Sequence, residues 1–164
     1  MSELRTNKIY PRDGLPAGAS GGIIQVVEAF DYTKSSVTSA TMIDTGLSAT
    51  ITPTSSSNKI LVYVSHNAYK TGTNNYLLLA LFCNHSGSYT NIGFIDDLIA
   101  YSGSTGSMSH RPNTMILHSP ATTSAITYKT QCYISGGGTI SLNADSSSGN
   151  ERSRASMILM EVSG

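Results

Sequence analysis

Charge is scarce in this sequence. Only 12% of its 164 residues are Asp, Glu, Lys or Arg, and the ten basic and ten acidic groups cancel. An average soluble protein carries roughly 25%. A neutral chain with no basic stripe cannot neutralise a run of phosphates, which argues against nucleic acid as a partner. Charge-steered capture of any partner is excluded on the same ground. Long apolar runs are missing too. The longest, Leu77 to Cys83, is seven residues, and a spanning helix needs about 20; no membrane insertion is expected. Met1-Ser2-Glu3-Leu4-Arg5 is not followed by the apolar stretch of a signal peptide, so the chain is expected to be made and kept in the cytoplasm until it leaves within an assembly. There is no tryptophan, and cysteine appears twice, as Cys83 and Cys132. A reducing compartment makes buried free thiols the better reading of that pair. Two cysteines and four scattered histidines make no zinc pattern, so neither metal nor cofactor is expected.

Amphipathic helical periodicity is also lacking. What replaces it is a series of short strand signals broken by Ser, Gly, Asn and Pro. They cover Ile23 to Tyr32, Thr41 to Ile43 leading into Leu47 to Thr52, Ile60 to Tyr69, Tyr76 to Asn84, and Tyr89 to Phe94. Asn113 to His118, Ser124 to Ile134, Thr139 to Ala144 and Ser156 to Val162 follow. Leu47, Ala49 and Ile51 alternate with Ser48, Thr50 and Thr52, the pattern of a half-buried strand. Residues 96 to 107 read as a loop with a short helical turn at Asp96 to Ala100. The pattern predicts an all-β protein, an antiparallel β-sandwich or jelly roll of about eight strands. That module spans residues 23–164. Residues 1–22, with Pro11, Pro16 and a run of small residues, read as an extended N-terminal arm. Its Leu4, Ile9 and Tyr10 are expected to anchor it to something else.

Several strands show no wet face. Leu77 to Cys83, Ile60 to Val64 and Met157 to Met160 are apolar at odd and even positions alike. Side chains alternate across a strand, so both faces are apolar, and a two-layer sandwich has one inside. Three exposed large apolar side chains forfeit roughly 5–9 kcal/mol per strand, comparable to a domain's whole stability of about 5–15 kcal/mol. A second copy of the chain is the simplest cover, with Leu61, Tyr63, Leu78, Ala80 and Phe82 at the subunit interface of a homotrimer. The alternative cover is the chain's own segment 96 to 112.

Glu3-Leu4-Arg5-Thr6-Asn7-Lys8-Ile9, Arg12-Asp13-Gly14 and Gly21-Gly22-Ile23-Ile24-Gln25-Val26-Val27 resemble the opening of tail-fibre-type appendage and virion structural proteins of tailed bacteriophages, notably of marine cyanophages. Asp44 to Pro53 and Ser57 to Val62 resemble a segment that recurs in them. The likeness covers roughly the first 65 residues and is loose beyond. It implies a virion component, commonly a homotrimer, attached to other virion proteins through Leu4 to Tyr10 with the β-module facing outward and reaching host-surface glycans. The chain is short for a fibre and has no coiled-coil shaft, so a capsid decoration or cement protein that stabilises the head is the alternative.

Enzymatic chemistry is weakly marked, and no enzyme is expected. Asp44-Thr45-Gly46 matches the local signature of an aspartic protease, in which two carboxylates share a proton. Asp-x-Gly is also a common turn; the protease is a remote alternative. His66, His85, His110 and His118 are too far apart for a local metal motif. Among nine tyrosines, Tyr69, Tyr76, Tyr89 and Tyr101 fall at strand ends or loops, where rings can stack on sugars.

Overall fold

The computed structural model of the chain describes residues 22–70, 75–99, 108–144 and 153–164. They form twelve antiparallel strands in three sheets. The strands are β1 (Ile23–Asp31), β2 (Ser35–Val37), β3 (Ile43–Ile51), β4 (Lys59–Ser65), β5 (Ala68–Lys70) and β6 (Tyr76–Asn84), then β7 (Thr90–Ile99), β8 (Met108–His110), β9 (Asn113–His118), β10 (Ile126–Ser135), β11 (Ile140–Leu142) and β12 (Ala155–Val162). The first sheet has the order β1-β12-β4-β9, the second β3-β10-β6-β7 and the third β2-β11-β5-β8. The expected all-β, antiparallel class is what the chain adopts; the anchoring residues Leu4, Ile9 and Tyr10 lie outside the described residues.

The strand count exceeds the expected eight or so for a physical reason. Each strand of the third sheet is the chain neighbour of one strand of the first: β2 follows β1, β5 follows β4, β8 precedes β9 and β11 precedes β12. Four long strands are thus each cut in two at one level. The cuts carry polar groups that bond sideways rather than along a ladder. Asp31 turns the chain by accepting from the Thr33 amide at 2.8 Å. The His66 amide donates to the Pro112 carbonyl at 2.9 Å, and the Asn143 amide to the Asn67 carbonyl at 2.9 Å. Asn143 has a φ of +56°, a conformation that Asn tolerates better than most residues. The expected single strand Ile60 to Tyr69 is therefore two, β4 and β5. The expected loop from residue 96 is instead the end of β7, where Asp96 pairs with Leu79 and Ile99 with Leu77 across a bulged ladder.

Two apolar clusters hold the sheets together. The first and second sheets meet through Ile60, Val62, Val64, Met157 and Leu159 on one side and Leu47, Ile51, Leu81, Ile126 and Tyr128 on the other. The third sheet packs on the far end of the second through Val37, Ala68, Ile140 and Leu142 against Leu77, Leu79, Cys132 and Ile134. The result is sandwich-like, with the second sheet as one layer. Cys83 and Cys132 are free, buried and in different clusters. Desolvation raises both thiols above their ordinary pKa, Cys132 to about 12, which keeps them protonated and unreactive.

Candidate functional site

Strand pairing places the two-sided strands on different faces of the sandwich. In the first sheet, Ile60, Val62 and Val64 of β4 point inward and are fully buried, so Leu61 and Tyr63 point outward and are half-buried. Their cross-strand neighbours extend the outward row. Val26 pairs with Met160, Met160 with Leu61, and Leu61 with Leu117. This row of four has no polar side chain. The next reads Glu28, Ile158, Tyr63 and Met115. Phe30 continues β1 on the same face, and beyond the bulge at Ile24 so does Ile23, which pairs with Val162 and is 61% exposed. Met115 is 63% exposed, Val26 and Phe30 56%, and Leu117 54%. Exposed apolar side chains gathered on one face in this way mark an interaction surface.

The patch has definite borders. Below it the strands break, and the third sheet presents Ser36, Ser141 and Ser109, with the buried Tyr69 in register between the last two. At one side Arg154 approaches Glu28 at 3.7 Å and lies 5.7 Å from the Phe30 ring centroid. A polar rim around an apolar centre is the anatomy of a protein interface. None of the described residues between 96 and 112 roofs this face: β7 runs in the second sheet and β8 in the third.

Leu78, Ala80 and Phe82 lie instead on the outward side of the second sheet, so the five interface residues expected from sequence do not form one surface. Leu78 and Phe82 are half-buried, and Ala80 has no exposed area in the single chain. Ala80 sits between Gln131 of β10 and Phe94 of β7, whose larger side chains close over it. The rest of that face is mixed, with Phe94 59% exposed among polar neighbours. Thr50 and Thr127 share a hydroxyl hydrogen bond of 2.8 Å.

Asp44-Thr45-Gly46 lies at the rim of this second sheet. It forms a β-bulge against Lys129 and Gln131 of β10, with Gly46 at a φ of +96°. The bulge turns the Asp44 side chain outward, where Lys129 Nζ donates to it at 2.7 Å and Gln131 Nε2 at 2.6 Å. Partial desolvation pushes the Asp44 carboxyl up. The hydrogen bonds from Lys129 and Gln131 and the lysine charge outweigh it and hold the group below its ordinary pKa. A protease dyad would instead set a second carboxylate here and drive one acid up. Lys129 Nζ also lies 3.8 Å from the ring centroid of Tyr89. Asp44, Ser48, Tyr89 and Lys129 line an open cavity of about 260 Å³.

The other glycan-contact residues scatter. Tyr69 is buried at 8% exposure, Tyr76 is half-buried and Tyr89 is 41% exposed; Tyr101 lies outside the described residues. The histidines do not form one cluster: His85 lies near enough to His118 for its charge to lower the His118 pKa, after the larger effect of burial, and the others stand apart. His66 is buried, His110 faces Asp96 at 3.4 Å, and His118 bonds the Tyr128 hydroxyl at 2.8 Å. Among the described residues no three His, Cys, Asp or Glu are grouped to hold a metal ion, and no helix is long and apolar enough to cross a membrane.

Sequence reasoning missed Val26, Phe30, Met115 and Leu117. The signal was faint. Val26 lies beside Val27, so the first strand also carries apolar groups on both faces. Met115 and Leu117 become part of a surface only once β9 is paired to β4. No protein-family model matches the chain, and a comparison with curated proteins finds no match.

Proposed function

We propose that this protein is a non-enzymatic structural subunit of a tailed-phage virion, a trimeric outward-facing appendage module attached by its N-terminal arm and able to contact host-surface glycans. The observation that carries the assembly part is the outward side of the first sheet. An all-apolar row of Val26, Met160, Leu61 and Leu117, left open to water, favours burial against other copies of the chain around a threefold axis. Neutral net charge and few ionic groups fit a subunit that packs against copies of itself. The phage setting rests on the resemblance of the first 65 residues.

The connectivity supports the finer fold reading. Counted across its cuts, each first-sheet strand joins its third-sheet continuation. The orders β1-β12-β4-β9 and β3-β10-β6-β7 then make eight strands in two layers, the plan of a jelly roll. The same fold serves a capsid cement protein, which is the second reading of where the subunit sits.

Removing residues 1–20 tests the attachment role. The shortened chain is expected to keep its assembled mass and to stop binding particles. Attachment at the full-length level would remove the arm from the mechanism. Imaging particles with the labelled chain separates the two placements: density at the tail supports the appendage and density over the head supports the cement.

A further inference from the structure

The bulge of β3 builds a polar recess. It lies on the second sheet, on the opposite layer from the apolar face. Four kinds of group converge there. The Asp44 carboxylate is fixed by Lys129 at 2.7 Å and Gln131 at 2.6 Å. Tyr89 leaves 41% of its surface open beside them. The Lys129 ammonium stands 3.8 Å from the Tyr89 ring centroid and is itself only 15% exposed. Ser48 brings a hydroxyl to the same wall. Bulges commonly re-aim side chains beside binding sites, and Gly46 at φ +96° makes this one possible.

We propose that this recess binds a single neutral sugar ring. The cavity, about 260 Å³, is below the roughly 300–1,000 Å³ of pockets that take larger organic ligands. The paired Asp44 and Lys129 leave no net charge to hold an anion or a cation. What remains is a fixed set of acceptors and donors: carboxylate oxygens for sugar hydroxyl protons, and ammonium and amide hydrogens for sugar oxygens. The open part of the Tyr89 ring offers an apolar surface to the C–H face of a pyranose. A ligand that is apolar on one side and rich in hydroxyls on its edge matches both. The proposal deepens the outward-contact half of the function proposed above and does not depend on the assembly half.

The test uses the full-length chain, labelled with nitrogen-15 and titrated separately with glucose, galactose, mannose and N-acetylglucosamine, and with N-acetylneuraminic acid as an anionic control. At least one neutral sugar is expected to shift the amides of Gly46, Ser48 and Thr130 saturably, with a Kd on the order of 1 mM. Tyr89→Ala and Asp44→Asn should each weaken that binding by about tenfold or more while the rest of the amide spectrum keeps its folded pattern. No shift with any of the four neutral sugars overturns the site. So do shifts that persist undiminished in Tyr89→Ala, or binding confined to the acidic sugar. Sedimentation of the same samples reports assembly separately, so a chain that assembles but binds no sugar refutes this recess alone.

Discussion

Glu161 is the residue whose surroundings are most demanding. It falls on the core face of β12 in step with Met157 and Leu159. It is inaccessible to water yet lies shallow, beneath the segment between β3 and β4. Burial raises its carboxyl, but hydrogen bonds from Asn58 (2.6 Å), Gln25 (2.6 Å) and the Thr54 hydroxyl (2.8 Å) and amide (2.7 Å) prevail and bring it down to about 2. Glu161→Ala would strand several donors at once. It is expected to cost about 2–4 kcal/mol in urea unfolding. His66 works in the opposite sense to a switch that charges on demand. Burial holds it down to about 4, against a smaller upward pull from Asp31. Its Nε2 meets Thr130 Oγ1 at 3.0 Å, and its Nδ1 has no partner among the described residues.

The signs give two separate pH windows. The unfolded His66 takes a proton near 6.5 and the folded one near 4, so stability is highest above 6.5 and falls as the pH drops toward 4. Glu161 has a folded value of about 2 against 4.5 unfolded; its contribution is complete above 4.5 and fades between 4.5 and 2. Melting temperature measured from pH 8 to 3 is expected to fall in both windows in the wild type. His66→Gln should flatten the upper window and leave the lower one. Neither residue could be picked out by type. Position 161 was in principle legible, since period-two alternation from Met157 and Leu159 carries it inward. His66 was not, because its burial follows from cuts in strands far apart in sequence.

At the level of elements, apolar alternation located the longer strands to within a few residues, and turn-forming residues located most of their ends. Two three-residue strands, β2 and β8, carry too little pattern to be seen. They exist because β11 and β5 pair with them. The break between β4 and β5 at His66-Asn67 was invisible for a similar reason: the residues that cause it bond to Pro112 and Asn143. The β3 bulge has a sharper consequence. A Cβ on Gly46 would meet the Asp31 carboxylate at 3.2 Å in a backbone conformation that side chains disfavour. Gly46→Ala is therefore expected to lower stability by about 1–3 kcal/mol and to loosen the Asp44–Lys129 pair. Chemical denaturation checks the first effect, and the Lys129 side-chain resonances the second.

For the whole molecule, the excess of two-sided apolar strands was readable in the sequence, and the exposed apolar side chains of the first sheet include Val26, Met115 and Leu117, which that reading did not name. Which side carried them was not readable, because that depends on which strands become neighbours. Leu61 joined Val26, Met160 and Leu117, whereas Leu78 and Phe82 went to the other layer. Equilibrium sedimentation of the full-length wild type beside Leu117→Lys is the most direct test. The wild type should run as a single species of three 17.3 kDa chains, about 52 kDa at micromolar concentration, where a standard interface holds. Leu117→Lys should fold but dissociate to one chain. A wild type that stays at 17.3 kDa throughout, or a lysine variant with unchanged mass, would contradict burial of this face between copies.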